Sequence, residues 1–229
     1  TEREIKTSPD KNLIELKDIS FSYSDNRKKI LKNINLSIEK GKIIGITGET
    51  GSGKSTLFHI MLGLLTPDAG KILHKGKNIH SNIENWRNQI GYIAQNIYLL
   101  DNTIEKNISF DFFDEKINKE KMNFSIQMSC LDQKISELPQ GLKTRVGNDG
   151  VKLSGGEKQR IALARAIYKN PNIFFMDEST SALDLNTEQK IIKNLKTNFK
   201  DKTIILIAHR KTTINECDKI IKLENGNLN

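Results

Sequence analysis

Residues 43–55 read Ile43-Ile44-Gly45-Ile46-Thr47-Gly48-Glu49-Thr50-Gly51-Ser52-Gly53-Lys54-Ser55, an apolar run that breaks into glycine and ends on Lys-Ser. The isoleucines form a run short enough for a buried strand, and from Lys54 to about Leu64 apolar residues return at helical spacing. In a strand, loop and helix of this order, glycines at 48, 51 and 53 let backbone N–H groups turn inward. The helix start adds about half a positive charge, and together these features cradle phosphate oxygens. Glu49, Thr50, Ser52 and Thr56 complete the expected phosphate-binding set. Lys54 is placed to reach the β- and γ-phosphates of a nucleotide, and the Ser55 hydroxyl to ligate Mg²⁺.

Composition bounds what surrounds this loop. At 229 residues the chain is long enough to bury a full core, and one domain is expected. No apolar run approaches the ~20 residues of a membrane span, and the amino end lacks a signal-peptide core, so the chain reads as soluble. Cys130 and Cys217 match no metal spacing and are too few for a disulfide framework, which suits reduced thiols in a cytosolic setting. The net charge of +8 arises from 36 basic residues scattered among 28 acidic ones. No basic block is flanked by stacking aromatics, so no nucleic acid is expected as partner.

Outward from the loop, Thr1 to Lys11 is polar, contains Pro9 and reads as a linker or arm. Ile14 and Leu16, then Ile19, Phe21 and Tyr23, alternate as a half-buried strand does, and Ile34, Leu36 and Ile38 repeat the pattern. An antiparallel sheet near the amino end follows. From Asn96 to about Asn148 the chain is polar and helix-permissive with few strand signals, which predicts an inserted helical subdomain over about 96–165. Ile173 to Met176 and Ile204 to Ile207 read as compact buried strands. Glu224-Asn225-Gly226-Asn227 signals a hairpin whose second strand is only starting, so the carboxyl end reads as cut.

Two further stretches carry chemistry. The strand Ile173 to Met176 delivers Asp177 to the sheet's carboxyl edge, where it can hold Mg²⁺ directly or through water. Glu178 follows and is the expected catalytic base, able to orient and polarise an attacking water. Taken alone, such a pair could equally cap the turn Ser179-Thr180-Ser181. Ser154 and Glu157 form a capping box that starts a helix through Tyr168, stopped by Asn170-Pro171. Gly155 and Gly156 are expected to leave that helix end uncovered, so a phosphate could approach its N–H groups and the Ser154 hydroxyl.

Leu153-Ser154-Gly155-Gly156-Glu157-Lys158-Gln159-Arg160, downstream of the lysine loop, resembles the signature of ATP-binding-cassette (ABC) ATPases, and the resemblance extends from about Leu13 to Asn227. It implies an α/β fold: a RecA-like P-loop NTPase core with an amino-terminal antiparallel β subdomain and an inserted α-helical subdomain, over residues 12–229. It implies ATP and Mg²⁺ as cofactors. Tyr23 resembles the aromatic that stacks on adenine, and Gln95, after the strand Ile90 to Ala94, the glutamine that touches Mg²⁺ and the water. Ser181-Ala182-Leu183-Asp184 is similar to the loop that communicates between two sites, and His209 to the switch histidine at the γ-phosphate. Alone, Tyr23 reads as readily as core, Gln95 as a surface amide and His209 as structural.

Family members stack two such domains head to tail, so ATP on Lys54 of one copy is closed over by Ser154, Gly155 and Gly156 of the other. Gln95 to Ile104 and Val146 to Gly150 are similar to the exporter branch, in which the ATPase follows a transmembrane domain in the same polypeptide at the cytoplasmic face of the membrane. Glu49 to Gly53 and the Ile-Tyr-Leu run are similar to lipid-linked oligosaccharide flippases. Arg145 stands where exporters commonly carry Glu, and Glu157 where Gln is more frequent. A non-transport ABC ATPase of chromosomes or ribosomes is the alternative; its usual coiled coil or tandem cassette is missing from this sequence. A regulatory module without turnover is a third class, against which Glu178 and His209 count.

Overall fold

The computed structural model of the protein describes residues 12–23, 29–111, 117–147, 151–178, 182–208 and 210–228. The expected arm at Thr1 to Lys11 lies outside them, as do Asn148 to Gly150, Ser181 and His209. The chain begins β1 (Asn12–Phe21), β2 (Leu31–Glu39), β3 (Ile43–Thr47), α1 (Lys54–Met61), β4 (Ala69–His74), β5 (Lys77–Asn78), α2 (Ile83–Asn88) and β6 (Ile90–Ile93). It continues β7 (Asn102–Thr103), α3 (Ile104–Ser109), α4 (Lys119–Met128), α5 (Asp132–Glu137), β8 (Arg145–Val146) and α6 (Gly155–Lys169). Last come β9 (Ile173–Asp177), α7 (Leu185–Asn198), β10 (Thr203–Ile207), α8 (Lys211–Ile214), β11 (Lys219–Glu224) and β12 (Asn227–Leu228).

The alternating residues near the amino end build an antiparallel sheet of order β2-β1-β4-β5. Ile14 faces Ile38, Leu16 faces Leu36 and Ile19 faces Ile34. The alternation slips between Leu16 and Ile19, where Asp18 takes φ 54° in a bulge that returns the next apolar residue to the core side. The second sheet has the order β12-β11-β3-β10-β9-β6, parallel from β11 to β6. Every residue of β9 and β10 is buried, which is why their sequences are unbroken apolar runs where they are not polar at an end. On one face Phe58 of α1 meets Phe175 edge-on at 5.3 Å; on the other Phe174 meets Phe199 at 5.5 Å.

Register makes this sheet a platform. Ile207 lies beside both Asp177 and Ile46, and Ile93 beside Met176, so the segments after β3, β6, β9 and β10 leave from one edge. Helices α3 to α6 gather around a separate apolar cluster that includes Ile104, Ile108, Met122, Ile126 and Ile161.

The boundaries depart from the sequence expectations in places. Helix α1 stops at Met61 and not near Leu64, because the chain turns through Gly63 at φ 70°. The strand before Gln95 ends at Ile93, and α6 runs one residue past Tyr168 before Asn170 caps it at φ 51°. The middle segment, expected to be helical, also holds the pair β7–β8, which lays Arg145-Val146 along Asn102-Thr103. The hairpin is present: Leu223 pairs with Leu228 across Asn225 and Gly226, both left-handed as a two-residue loop requires.

Candidate active site

The loop between β3 and α1 is shaped by close backbone approach. Gly48 takes φ 149°, and a Cβ there would lie 2.2 Å from the Leu223 carbonyl oxygen. Gly53 begins α1 in the left-handed region with no side-chain cap, so the first N–H groups of the helix have no side-chain acceptor. Lys54 is buried and folds back over the loop, donating to the carbonyls of Gly48 at 2.9 Å and Glu49 at 2.8 Å. Burial pushes its pKa down, opposed by the charges of Glu178 and Asp177. The Ser52 hydroxyl oxygen is buried without a hydrogen-bond partner among the described residues, whereas Glu49, Thr50, Gly51 and Ser55 are exposed. Tyr23 is not core. The residue is 45% exposed, its ring is edge-on to Phe21 at 5.0 Å, and its hydroxyl lies 3.2 Å from that of Thr56 on α1.

Asp177 ends β9 at the platform edge. It is buried, and its Oδ1 has no hydrogen-bond partner among the described residues. Tyr92 of β6, opposite Phe175 of β9, places its phenol near the Asp177 carboxylate; burial and that negative charge push the phenol's pKa up to about 12. Burial and neighbouring Glu178 push the Asp177 carboxyl up, while His59, Lys54 and nearby Tyr92 pull it down. Glu178 turns through φ 46°, a left-handed position that a non-glycine residue holds only at a cost of about 1–3 kcal/mol. It meets Gln95, whose Nε2 donates to Glu178 Oε2 at 2.9 Å. Lys54, Asp177, Glu178 and Gln95 thus converge as the strand order requires.

A buried carboxylate oxygen without a partner, close to a lysine and a glycine loop, fits a hard cation that takes few protein oxygens. Asp177 Oδ1 and the Ser55 hydroxyl could hold Mg²⁺. Clusters of three or more His, Cys, Asp or Glu suited to a metal are absent among the described residues, so such a cation would also draw on phosphate oxygens and water.

Ser154 to Glu157 adopt the expected capping box. The Ser154 hydroxyl accepts from the Glu157 N–H at 3.2 Å, and Glu157 Oε2 from the Ser154 N–H at 2.8 Å. Glu157 Oε1 also lies 3.0 Å from Nζ of Lys134 on α5. Ser154 and Gly155 are exposed, but Gly156 is less open than the sequence suggests: a Cβ there would meet the Ala182 carbonyl oxygen at 2.9 Å. The Ala182 N–H in turn donates to Gln159 Oε1 of α6 at 3.1 Å. No hydrogen bond joins Ser154, Gly155 or Gly156 to residues 48–56 among the described residues.

Past the platform edge, Asp184 caps α7 through the Thr187 N–H, and Arg210 clasps the same segment. Its Nη1 donates to the Leu183 carbonyl at 2.9 Å and to Glu188 at 2.7 Å, while the Thr213 hydroxyl donates to the other Glu188 oxygen at 2.6 Å. Glu188 is 1% exposed, so removing the cation leaves a carboxylate in the interior. Arg210→Met should therefore lower stability by about 1–3 kcal/mol in urea unfolding, less than for a fully enclosed pair because the guanidinium reaches solvent. An unfolding midpoint equal to the parent's would show the pair to be energetically idle.

Sequence reasoning missed Tyr92, Lys134, the Glu188–Arg210 pair and Asn107. Asn107 is fully buried, accepts from the Leu100 N–H and donates to the Leu100 and Thr103 carbonyls, fixing the chain downstream of Gln95. Arg145 bends back to the Asp101 carbonyl at 3.2 Å.

A phosphate-cradling loop at the edge of a parallel sheet, with an acidic pair on a neighbouring strand and an antiparallel sheet packed alongside, defines a nucleotide-binding α/β domain of the P-loop class. The ABC transporter family profile matches residues 31–181, and the chain belongs to that family. It is 40% identical over 216 residues to the leukotoxin translocation ATP-binding protein LktB of Mannheimia glucosida, covering 94% of this chain and 30% of that protein. The Mannheimia haemolytica LktB is 40% identical over 219 residues, with 95% and 31% covered. Among solved structures, a bacterial Atm1-family ABC exporter with ATP bound superposes with a TM-score of 0.87 at 34% identity, covering 95% of this chain and 38% of that one. The chain therefore spans about a third of the length of these relatives.

Proposed function

We propose that the chain is the ATP-binding and ATP-hydrolysing domain of an ABC exporter, working as a head-to-tail pair at the cytoplasmic face of a membrane. The observation that carries this reading is the convergence of Lys54, the partnerless Asp177 oxygen and the Gln95–Glu178 hydrogen bond at one sheet edge. Phosphate oxygens are stronger acceptors than the Gly48 and Glu49 carbonyls, so the Lys54 ammonium turns onto the β- and γ-phosphates when ATP enters. Asp177 and Ser55 would hold Mg²⁺, which would supply charge neutralisation on the phosphoryl group. Glu178 takes a proton from the water as its oxygen bonds to the γ-phosphorus and the bond to the bridging oxygen breaks, releasing ADP; Gln95 holds that carboxylate in position, and the backbone N–H groups at the start of α1 donate to the phosphate oxygens as their charge grows. His209 completes the site at the γ-phosphate in this reading.

The signature Ser154 to Gly156 then serves the ATP of a second copy, which agrees with its lack of hydrogen bonds to its own phosphate loop. The coupled partner in this reading is a transmembrane domain in the same polypeptide, for which the relatives, about a third of whose length this chain covers, have room. A cleft of about 650 Å³ lined by Leu62, Leu64, Tyr92, Phe110 and Tyr168 suits that domain's docking, since it leans on β6, whose end carries Gln95. Cargo is a matter for the membrane domain. The relatives' names concern leukotoxin translocation and the Atm1 family, and the likeness to lipid-linked oligosaccharide flippases gains no support from them. They also favour transport over a chromosomal or ribosomal ATPase.

Steady-state phosphate release with Mg²⁺ and ATP tests turnover, and its absence in the folded chain would leave only a binding module. The adenine assignment has its own test. Tyr23→Ala should weaken ATP by the ~1–3 kcal/mol typical of base–aromatic stacking, with Tyr23→Trp tolerated and GTP also bound. Calorimetry that finds one affinity for all three proteins would take Tyr23 out of the site.

A further inference from the structure

We propose that Lys134 is a positioning residue for the shared ATP site, acting through Glu157 as the countercharge that lets a carboxylate stand in the signature motif. The inference rests on the head-to-tail reading above. Glu157 lies one turn into the helix whose amino end would receive the partner's phosphates, and a bare carboxylate there opposes them. Both of its oxygens are engaged, Oε2 by the Ser154 N–H at 2.8 Å and Oε1 by the Lys134 ammonium at 3.0 Å. The carboxylate side chain is 16% exposed and the lysine's 25%, so the pair, which bridges α5 and α6, is screened less than a fully exposed ion pair. The capping hydrogen bond fixes the carboxylate and the lysine cancels its charge. Together they present to an incoming phosphate the neutral charge that a glutamine would present, while retaining an acceptor for the Ser154 N–H. Lys134 touches neither nucleotide nor reacting atoms, and its influence passes through the charge and placement of Glu157 beside Ser154.

The test uses ATP-dependent dimerisation of the chain, followed by light scattering in a Glu178→Gln background so that hydrolysis does not drain the complex. Lys134→Gln should leave ATP affinity of the monomer unchanged by calorimetry, yet raise the protein concentration needed for half-dimerisation about tenfold, the scale of one uncompensated charge roughly a helical turn from a phosphate. Adding Glu157→Gln to that variant should restore the parent's midpoint, and Lys134→Arg, which keeps the charge, should match the parent. A structural role for Lys134 would not be rescued by neutralising its partner. A Lys134→Gln midpoint equal to the parent's, or a Lys134→Gln defect that Glu157→Gln fails to relieve, overturns the inference while the shared site stands. A parent that remains monomeric with ATP refutes the shared site itself and the inference with it.

Discussion

Glu178→Gln should leave ATP binding intact and lower turnover at least about a hundredfold, the scale at which a positioned general base contributes. The amide keeps the shape and one acceptor oxygen, so Gln95 retains its partner and the strained turn at φ 46° keeps its side-chain direction. It removes only the lone pair that would take a proton from water. Lys54 and Asp177 are untouched, so phosphate and cation contacts persist and the ATP-bound dimer should accumulate. Lys54→Ala makes the contrast: a buried cation facing the phosphates is lost, and affinity itself should fall. Phosphate release by Glu178→Gln at the parent rate would remove Glu178 as base, and would move attention to His209 or to Asp177, the carboxylate next to it.

The sequence made the site legible where function coincides with the chain's own order. The β3 loop, Gln95, the Asp177-Glu178 pair and His209 each follow an apolar run, and parallel register brings the ends of those runs level. The capping box was legible because both members lie within one helical turn. What escaped notice depends on which strands become neighbours. Tyr92 reaches Asp177 only because β6 pairs with β9, and nothing local marks a phenol in an apolar strand as a carboxylate partner. Lys134 and Glu157 are brought together by the packing of α5 near the start of α6, and Arg210 finds Glu188 across a loop and a strand. Gly156 illustrates a different failure. Its lack of a side chain reads as an opening for phosphate, yet the Ala182 carbonyl already occupies the space a Cβ would need. The same glycine therefore lets the backbone of Ala182, shortly before α7, lie against the amino end of α6.

If one site is split between two copies, as proposed, mixing can expose it. In Ser154→Arg the substituted side chain intrudes on the partner's phosphates, so both sites of its homodimer are blocked. In Lys54→Ala each copy lacks its own phosphate cation, so both sites of that homodimer are also dead. A heterodimer of the two joins an intact lysine loop to an intact signature at one site and places both lesions at the other. If the variants associate equally, half of the dimers in an equimolar mixture are mixed and half of their sites are intact, so about a quarter of parent activity should return. Losing the Ser154 cap costs about 1 kcal/mol, so circular dichroism must first establish that the arginine variant is folded. If the site forms only when two copies associate, the parent's specific activity should also rise with protein concentration. Two inactive proteins that become active on mixing can do so only by sharing a site. Specific activity independent of concentration, in a chain that light scattering finds monomeric with ATP, would refute that arrangement and leave Ser154 as a helix cap alone.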